Sequence, residues 1–327
     1  MKEAIRKIRY FNRLSGQLED ERIYGEAPLR WAYFNPIGKL FTRLLLKNPF
    51  VSGLYGWWMD RPGSRKKIQP FIEKFNVDPS EFFEPPESYP HFNAFFYREL
   101  KPECRPVDSH DFSVVFPADG RHLAIENIQK ADTIYAKGQR LDVEQLMGDM
   151  PFVQSVEGGS VLISRLCPVD YHRFHAPFSG IAMAPLMVGN SLYSVNPLAL
   201  SQKLDYLVNN RRWIIPFKLK AGKLAVVVVI GATFVGSAEF TYNPGFVTKG
   251  QELGYFRFGG SCVVTVLPHG SILLDPGLVG QSREGIESYD QMGRPFGAFC
   301  CVCRSGLVGE IKAKNKGRGW NFDTFNR

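Results

Sequence analysis

Apolar and polar positions follow a helical period early in the chain. Over residues 37–47, Lys39, Arg43 and Lys47 recur every four residues and form one basic stripe. Apolar residues fall on the other side of this segment, as in an amphipathic helix. They are Ile37, Leu40, Phe41, Leu44 and Leu45. The pattern predicts that residues 1–74 are helical.

The pattern changes after a polar, proline-marked joint at residues 78–90. Short runs rich in β-branched residues, separated by Gly and Pro, predict strands. The predicted strands are 113–116, 161–166, 224–230 and 262–267, with helical insertions at 141–146 and 197–209. We therefore expect an α+β protein with an N-terminal basic helical region over 1–78, a β-rich domain over 79–303 and a basic, loose tail over 304–327.

The composition indicates a globular protein without a disulfide scaffold or a membrane-spanning helix. With 44% hydrophobic and 22% charged residues, the chain has a globular rather than a disordered composition. Six cysteines in 327 residues are too few for a disulfide scaffold, which favours reduced thiols. No uncharged apolar run reaches the ~18 residues of a spanning helix, so none is predicted.

The charge excess is confined to one end of the chain. Residues 1–74 carry 15 Lys and Arg against 7 Asp and Glu, whereas residues 75–327 carry 25 of each sign. A basic segment with an apolar face and the pair Trp57-Trp58 is typical of a helix lying in a membrane interface. The alternative is a helical subdomain that packs its aromatic side chains on the main body. No recognition module for nucleic acid accompanies the basic residues.

Three local clusters contain residue types that serve in nucleophilic catalysis. Asp119 stands in a Pro/Gly-bounded turn after a predicted strand, His172 and His175 lie close together, and Ser261 follows two glycines. Together they can provide a nucleophile, a base and a carboxylate that orients the base. Taken singly, an Asp-Gly pair is usually a turn and a Gly-Gly-Ser segment is usually a loop.

Other kinds of site have less support. His172 and His175 lack a third metal ligand at a usual spacing, and we expect no metal. Cys300, Cys301 and Cys303 have no second pair that would complete a zinc site, and they are better explained as small apolar residues.

Five segments occur in the order typical of one protein family. They are FNAFFYRELKPECRP at 92–106, PADG at 117–120, DYHRFHAP at 170–177, NPLAL at 196–200 and KGQELGYFRFGGS at 249–261. One match alone would be weak, but these five are spread over some 170 residues, and together they resemble the bacterial, pyruvoyl-dependent phosphatidylserine decarboxylase proenzymes. The resemblance implies a β-rich, barrel-like core with elements similar to barrel-sandwich hybrids, and helices on its N-terminal side.

The same resemblance implies that the chain makes its own cofactor. Self-cleavage between Gly260 and Ser261 would leave a β chain, 1–260, and an α chain, 261–327, with Ser261 converted to a pyruvoyl group. His175 matches the base of this cleavage, Asp119 the carboxylate that orients the base, and His172 a residue implicated in substrate handling. Neither a metal nor pyridoxal phosphate is then expected.

The implied reaction is a carboxy-lyase step on a phospholipid. The pyruvoyl ketone forms a Schiff base with phosphatidylserine, CO2 leaves, and phosphatidylethanolamine is released. The implied location is peripheral, on the cytoplasmic face of the cell membrane, with phosphatidylserine in an anionic membrane as the partner and no nucleic acid. The β and α chains stay together, and association between copies of the protein is open.

One residue departs from the family pattern, and two alternatives to the implied function stay open. Cys262 stands where the family usually has Thr or Ser, so a weaker hydrogen-bonding group follows the predicted cleavage serine. Its thiol is also a rival nucleophile, although it lies one residue beyond the family's cut. A decarboxylase of the same fold acting on a soluble amino acid is one alternative. A lipid-binding relative that never cleaves is the other.

Overall fold

The computed structural model describes residues 7–130, 141–148, 150–219, 222–233, 237–259 and 261–300. Gly260 and the predicted tail, 304–327, therefore lie outside the described residues. The strands are β1 Arg9–Asn12, β2 Gln17–Asp20, β3 Ser113–Val115, β4 Gly120–Ile125, β5 Ser160–Leu166, β6 Arg173–His175, β7 Gly180–Ala182, β8 Leu186–Val188, β9 Arg212–Lys218, β10 Leu224–Gly231, β11 Ala238–Phe240, β12 Gly245–Val247, β13 Glu252–Phe256, β14 Ser261–Leu267, β15 Ile272–Leu274, β16 Glu287–Asp290 and β17 Pro295–Phe299.

Helices are concentrated near the start of the chain and are short elsewhere. The α-helices are α1 Glu26–Phe34, α2 Pro36–Phe41, α3 Pro49–Met59, α4 Ile68–Phe75, α5 Phe92–Phe96, α6 Val143–Met147, α7 Pro197–Leu200, α8 Asp205–Asn209 and α9 Pro276–Arg283. A π-helical turn, Thr42–Leu46, follows α2 directly. The 3-10 turns are Pro62–Lys67, Pro79–Glu81, Pro86–Ser88, Pro102–Cys104, Ile128–Lys130 and Val153–Val156.

One large mixed sheet carries most of the strands. Its order is β12-β7-β9-β10-β14-β5-β4-β16-β1-β2, with β8 also paired to β9. Two smaller sheets have the orders β11-β13-β6 and β15-β17-β3. The expected α+β class is confirmed. Within the described residues the large sheet ends at β12 and β2 and does not close into a barrel, so the expected barrel-like core stays a prediction.

The central strands are buried on both faces, which explains their continuous apolar runs. Val227 and Val229 of β10 join a cluster on one face, and Val226 and Val228 join a cluster on the other. The predicted strands at 113–116, 161–166, 224–230 and 262–267 are confirmed to within a residue or so at each end. The predicted helix at 141–146 corresponds to α6, and the one at 197–209 divides into α7 and α8.

The prediction that the whole of residues 1–74 is helical is wrong at its beginning. β1 and β2 form a hairpin, and β1 pairs in parallel with β16. The side chain of Tyr10 is buried, and Arg13 forms ion pairs with Asp275 and Asp290. Pairing with a distant part of the chain therefore decides the conformation of this segment, and its local pattern does not show it.

From α1 onward the N-terminal region is helical, as predicted. Asn35 caps α2 by accepting a hydrogen bond from the Ile37 backbone N–H at 2.9 Å, and Asn48 caps α3 in the same way. The apolar residues of this segment are largely in solvent: Ile37 is 71% exposed and Phe50 is 78% exposed. No helix of the described residues is long and apolar enough to cross a membrane.

The following helices pack firmly against the rest of the protein. Phe71 of α4 and Phe95 of α5 belong to an aromatic cluster that also contains Phe258, just before the predicted cleavage site. Phe71 and Phe95 lie on opposite sides of the predicted boundary between residues 78 and 79. The helical region and the β-rich region thus share a hydrophobic cluster, and the boundary itself stays a prediction.

Candidate active site

Ser261 is the first residue of β14, a strand in the middle of the large sheet. It pairs with Leu166 of β5 on one side and with Gly231 of β10 on the other. The residue is fully buried, and its Oγ has no hydrogen-bond partner among the described residues. A buried hydroxyl without a partner is uncommon in native proteins and often marks a functional site.

Cys262 points away from this position. Successive side chains alternate across a strand, and Cys262 belongs to the hydrophobic cluster on one face whereas Val263 belongs to the cluster on the other. Ser261 therefore shares a face with Val263. Burial raises the pKa of the Cys262 thiol, which disfavours the reactive thiolate. This geometry argues against Cys262 as a rival nucleophile.

His175 ends β6 and is buried. Its backbone N–H donates to the carbonyl oxygen of Pro117 at 2.7 Å, and its Nδ1 has no hydrogen-bond partner among the described residues. Burial, together with the nearby Arg173 guanidinium, lowers its pKa to about 3. The imidazole is consequently neutral near pH 7, the state that a general base requires.

Asp119 is held by an arginine. Both of its carboxylate oxygens accept hydrogen bonds from Arg105 Nε, at 3.0 and 2.8 Å, and Oδ1 also accepts one from the Met292 backbone N–H at 2.9 Å. Arg105 is bound in turn to Glu81, at 3.1 and 3.0 Å. Burial raises the pKa of Asp119, and the Arg105 guanidinium opposes that rise.

No hydrogen bond joins Asp119 to His175 in the described residues. Asp119 is bound to Arg105, and His175 Nδ1 is unpaired. The two residues are nevertheless neighbours through the backbone, because the Pro117 carbonyl that accepts from His175 lies two residues before Asp119. The predicted role of Asp119 in orienting His175 thus stays a prediction, and a direct contact requires a side-chain rearrangement.

His172 lies beside the predicted cleavage site. Its Nδ1 is 2.9 Å from the Asp170 carbonyl oxygen, and its ring lies 3.9 Å, centroid to centroid, from that of Phe96. Burial lowers its pKa to about 3, while the hydrogen bond with the Asp170 backbone acts in the opposite direction, and its Nε2 has no hydrogen-bond partner among the described residues. The ring is therefore neutral, and Phe96, which it contacts, also packs on Phe258, three residues before Ser261.

The sheet register brings the three segments to one place. Gly120, which follows Asp119, packs so closely on β5 that an added Cβ would lie 2.5 Å from the Arg165 carbonyl oxygen. The next residue of β5, Leu166, is the partner of Ser261. Ala118, Leu166 and Ala176 also belong to one hydrophobic cluster. Ser261, His175 and Asp119 are therefore gathered at one end of the sheet. Gly260, the other predicted cleavage residue, lies outside the described residues.

Sequence reasoning missed several residues that support this site. Arg105 holds Asp119, Phe96 stacks on His172, and Asn93 Oδ1 accepts a hydrogen bond from the Phe258 backbone N–H at 2.8 Å. All three supporting residues lie within the matched segment at 92–106. That segment therefore contained the signal, although the partner of each side chain could not be read from it.

A buried ionic network lies behind the site. Arg165 Nη2 donates to Glu21 and to Glu287, each at 2.5 Å, and Arg121 Nη1 donates to Asp170 at 2.6 and 2.5 Å. Glu21 directly follows the N-terminal hairpin, so the start of the chain helps to neutralise a charge on β5, next to the partner of Ser261. Buried charges require such partners because an unpaired charge is costly to desolvate.

Comparisons with known proteins identify the family of the chain. Residues 92–284 match the family model for phosphatidylserine decarboxylase. The chain is 37% identical over 293 residues to the phosphatidylserine decarboxylase proenzyme of Fusobacterium nucleatum, covering 89% of this chain and 97% of that protein. It is 38% identical over 292 residues to the proenzyme of Desulfitobacterium hafniense, covering 89% and 98%. For the proenzyme of Chlamydia trachomatis the identity is 36% over 295 residues, covering 90% and 98%. The chain belongs to the phosphatidylserine decarboxylase family.

Proposed function

We propose that this protein is a self-processing phosphatidylserine decarboxylase, a carboxy-lyase that converts phosphatidylserine to phosphatidylethanolamine and CO2. Family membership supports the reaction class. The observation that carries the site assignment is the pair of buried, unpartnered atoms, Ser261 Oγ and His175 Nδ1, at one end of the sheet. Both residues are neutral and shielded from water, as a serine nucleophile and its base must be.

Maturation begins with attack of Ser261 Oγ on the carbonyl carbon of Gly260. His175 takes the hydroxyl proton, and the peptide C–N bond breaks, which converts the amide to an ester. Removal of the Ser261 α-proton then expels the Gly260 carboxylate, which becomes the C-terminus of the β chain. Hydrolysis of the resulting dehydroalanine releases ammonia and leaves a pyruvoyl group on the α chain, 261–327.

The surroundings of Ser261 suit an electron-accepting group, because they keep bulk water away from it. A pyruvoyl group formed there supplies an electrophilic carbonyl that binds the substrate amine and accepts the electrons released as CO2 departs. The site is buried and lined by apolar side chains of the sheet, which excludes bulk water from the reacting atoms. His172 contacts Phe96, which packs on Phe258 just before the predicted cleavage site, and its unpartnered Nε2 supports a role in accepting a proton or a hydrogen bond from the substrate head group.

We also propose that the N-terminal helices dock the enzyme on the membrane that contains its substrate. Between α2 and α3 the exposed apolar side chains lie next to basic ones, the combination that favours an anionic interface. Arg61 lies 3.9 Å from the Trp57 ring centroid and Lys67 lies 3.8 Å from that of Trp58. These cation–π pairs keep two half-exposed indoles beside positive charge. The proposed location is peripheral, at the cytoplasmic face.

Release of labelled CO2 tests this function against the two alternatives. Wild-type protein is assayed with carboxyl-labelled phosphatidylserine in vesicles and, separately, with free labelled serine and aromatic amino acids. We expect CO2 from the vesicles alone, and none from the Ser261→Ala variant. CO2 from a soluble amino acid alone would favour the first alternative. An uncut wild-type chain that binds vesicles without releasing CO2 would favour the second. Ser288→Ala is the matched control, because Ser288 Oγ is also buried without a partner among the described residues.

A further inference from the structure

A cleft of about 560 Å3 lies on the N-terminal helical region, apart from Ser261. Residues from 32–47 form one wall, and residues from 191–209 form the other. Four cationic side chains line it: Lys39, Arg43 and Lys47 from the basic stripe, and Lys203 from the opposite wall. No Asp or Glu is among the lining residues, so the cleft has the charge of an anion-binding site.

Three of these four cations have no carboxylate partner within the described part of the chain. Lys203 forms an ion pair with Asp205 at 3.2 Å, whereas Lys39 makes only a 3.4 Å hydrogen bond to Gln202. Arg43 and Lys47 form no ion pair with any described residue. Their charges are therefore available to a ligand.

The walls of the cleft are fixed before any ligand arrives. Tyr193 and Tyr206 stack with ring centroids 4.4 Å apart, and Tyr33 meets Tyr206 edge-on at 5.7 Å. Tyr33 Oη accepts a hydrogen bond from the Ser194 backbone N–H at 2.6 Å, and the Leu192 N–H donates to the Lys47 carbonyl oxygen at 2.9 Å. Such preorganisation lowers the entropic cost of holding an anion.

The segment that lines the cleft also carries a surface that suits lipid rather than a free ion. It supplies Lys39 and Arg43 to the cleft and exposes Leu40, Leu44 and Leu45 on its other side. A membrane that takes up these apolar side chains holds the segment among lipid head groups, where a phospholipid phosphate can reach the cleft. Inorganic phosphate gains nothing from the apolar side, so the combination of charge and apolar surface favours a phospholipid.

The cleft is also linked to the strand that pairs with Ser261. Asn210 Nδ2 donates to the carbonyl oxygens of Tyr193, at 2.8 Å, and Gly231, at 2.9 Å. Tyr193 lines the cleft, and Gly231 is the strand partner of Ser261. A lipid bound in the cleft would thus hold the membrane at the end of the sheet where the chemistry occurs.

We propose that this cleft binds the phosphate group of an anionic membrane phospholipid and recognises that group independently of a serine head group. Because its lining has no carboxylate to pair with the serine ammonium, phosphatidylglycerol is as suitable a ligand as phosphatidylserine. The proposal rests on the proposed function only in taking a membrane as the docking surface. The basic stripe then forms part of a defined phosphate-binding site, and it does more than attract negative charge in general.

Vesicle binding without substrate tests the cleft separately from catalysis. Mature protein is sedimented with phosphatidylcholine vesicles that contain or lack phosphatidylglycerol, so a failed decarboxylase assay does not affect the result. The double variant Arg43→Gln/Lys47→Gln is compared with Lys218→Gln/Lys223→Gln, which removes the same charge near the turn between β9 and β10. We expect the first variant to bind phosphatidylglycerol vesicles about 30-fold more weakly, and the control to change by less than about threefold.

Competition by inorganic phosphate distinguishes a phosphate site from simple charge attraction. At constant ionic strength, replacing chloride by phosphate should weaken vesicle binding of the wild type and leave the binding of Arg43→Gln/Lys47→Gln unchanged. Equal losses in the two double variants would overturn the proposal, as would wild-type binding that phosphate does not affect. Thermal stabilisation by phosphate with no effect of the variants on vesicle binding would overturn the lipid assignment.

Discussion

The end of the sheet that carries Ser261, which is the proposed catalytic end, differs from the N-terminal helical surface in which groups lack a partner. At the catalytic end, Arg105, Arg121 and Arg165 are paired with carboxylates, yet Ser261 Oγ and His175 Nδ1 are buried without a partner among the described residues. On the helical surface, large apolar side chains lie in solvent, and Lys39, Arg43 and Lys47 have no carboxylate partner among the described residues.

The difference shows where each region obtains its missing interactions. An unpaired buried hydroxyl and imidazole can be satisfied by hydrogen bonding to each other or to a reacting group. Exposed apolar side chains beside unpaired cations are buried and neutralised when they contact another surface that is both apolar and anionic. One region therefore indicates chemistry and the other indicates docking, and substitutions in the two regions should affect different measurements.

The largest expected effect is on self-cleavage. His175→Gln removes the base, and we expect processing to slow by about 10²–10⁴-fold, as followed by the appearance of two chains on a denaturing gel. His269→Gln serves as the control, because His269 lies just beyond the other end of β14. Wild-type processing in His175→Gln would exclude His175 as the base.

The next effect concerns the ionic network behind the site. Arg165→Met leaves the carboxylates of Glu21 and Glu287 buried without their main partner, and the free energy of unfolding should fall by about 3–5 kcal/mol. Urea denaturation of the uncut Ser261→Ala chain measures it. Arg283→Met, which breaks an exposed pair with Glu126, should cost less than about 1 kcal/mol. Equal costs would mean that burial does not distinguish the two pairs.

Acid should destabilise the catalytic end through its buried histidines. Burial lowers the pKa of His122, His172 and His175 to about 3 from 6.5, so the unfolded chain binds protons that the folded chain does not. The free energy of unfolding should therefore fall as pH falls from 6.5 towards 3, by up to about 1.4 kcal/mol per pH unit for each histidine.

His122→Gln tests this dependence away from the reacting atoms. The His122 ring is hydrogen bonded to Ser164 and stacks on Phe116, so the variant removes one titrating group without touching Ser261. The slope of unfolding free energy against pH between 4 and 6 should become shallower than in the wild type, both measured in the Ser261→Ala chain. An unchanged slope would show that His122 is protonated in the folded protein.

The smallest effect on stability should come from the docking surface. Leu44→Ser and Phe50→Ser replace exposed side chains, so the unfolding free energy should change by no more than about 0.5 kcal/mol. Sedimentation with anionic vesicles should nevertheless decrease. Leu273→Ser is the matched control, because Leu273 is similarly exposed but lies on β15, outside the N-terminal helices. Equal vesicle binding by all three variants would contradict the docking role.

The sequence alone was enough to predict the elements that depend on a local pattern of residues. The β-branched runs predicted β5, β10 and β14 because both faces of these strands are buried, and family order identified Ser261, His175 and Asp119 as one set. The exposed apolar stripe around Leu44 was also visible in the helical period. Whether that stripe packed inward or faced solvent was open until the structure gave its exposure.

The remaining features depend on partners that are distant in the chain. The hairpin of β1 and β2 exists because β16 accepts it, nearly 280 residues later, and no four-residue pattern predicts that pairing. Arg105 meets both Glu81 and Asp119 only through folding. The barrel-like core stays a prediction, because strand alternation predicts faces and burial whereas closure depends on which edge strands meet.

The mass of the α chain tests the central claim most directly. Intact-mass analysis of purified wild-type protein should show a fragment 261–327 that is lighter, by one ammonia, than the same peptide beginning with serine, together with a β chain ending at Gly260. Such a fragment means that Ser261 has become a pyruvoyl group. A single uncut chain, or a fragment that begins with unmodified serine, would contradict the account.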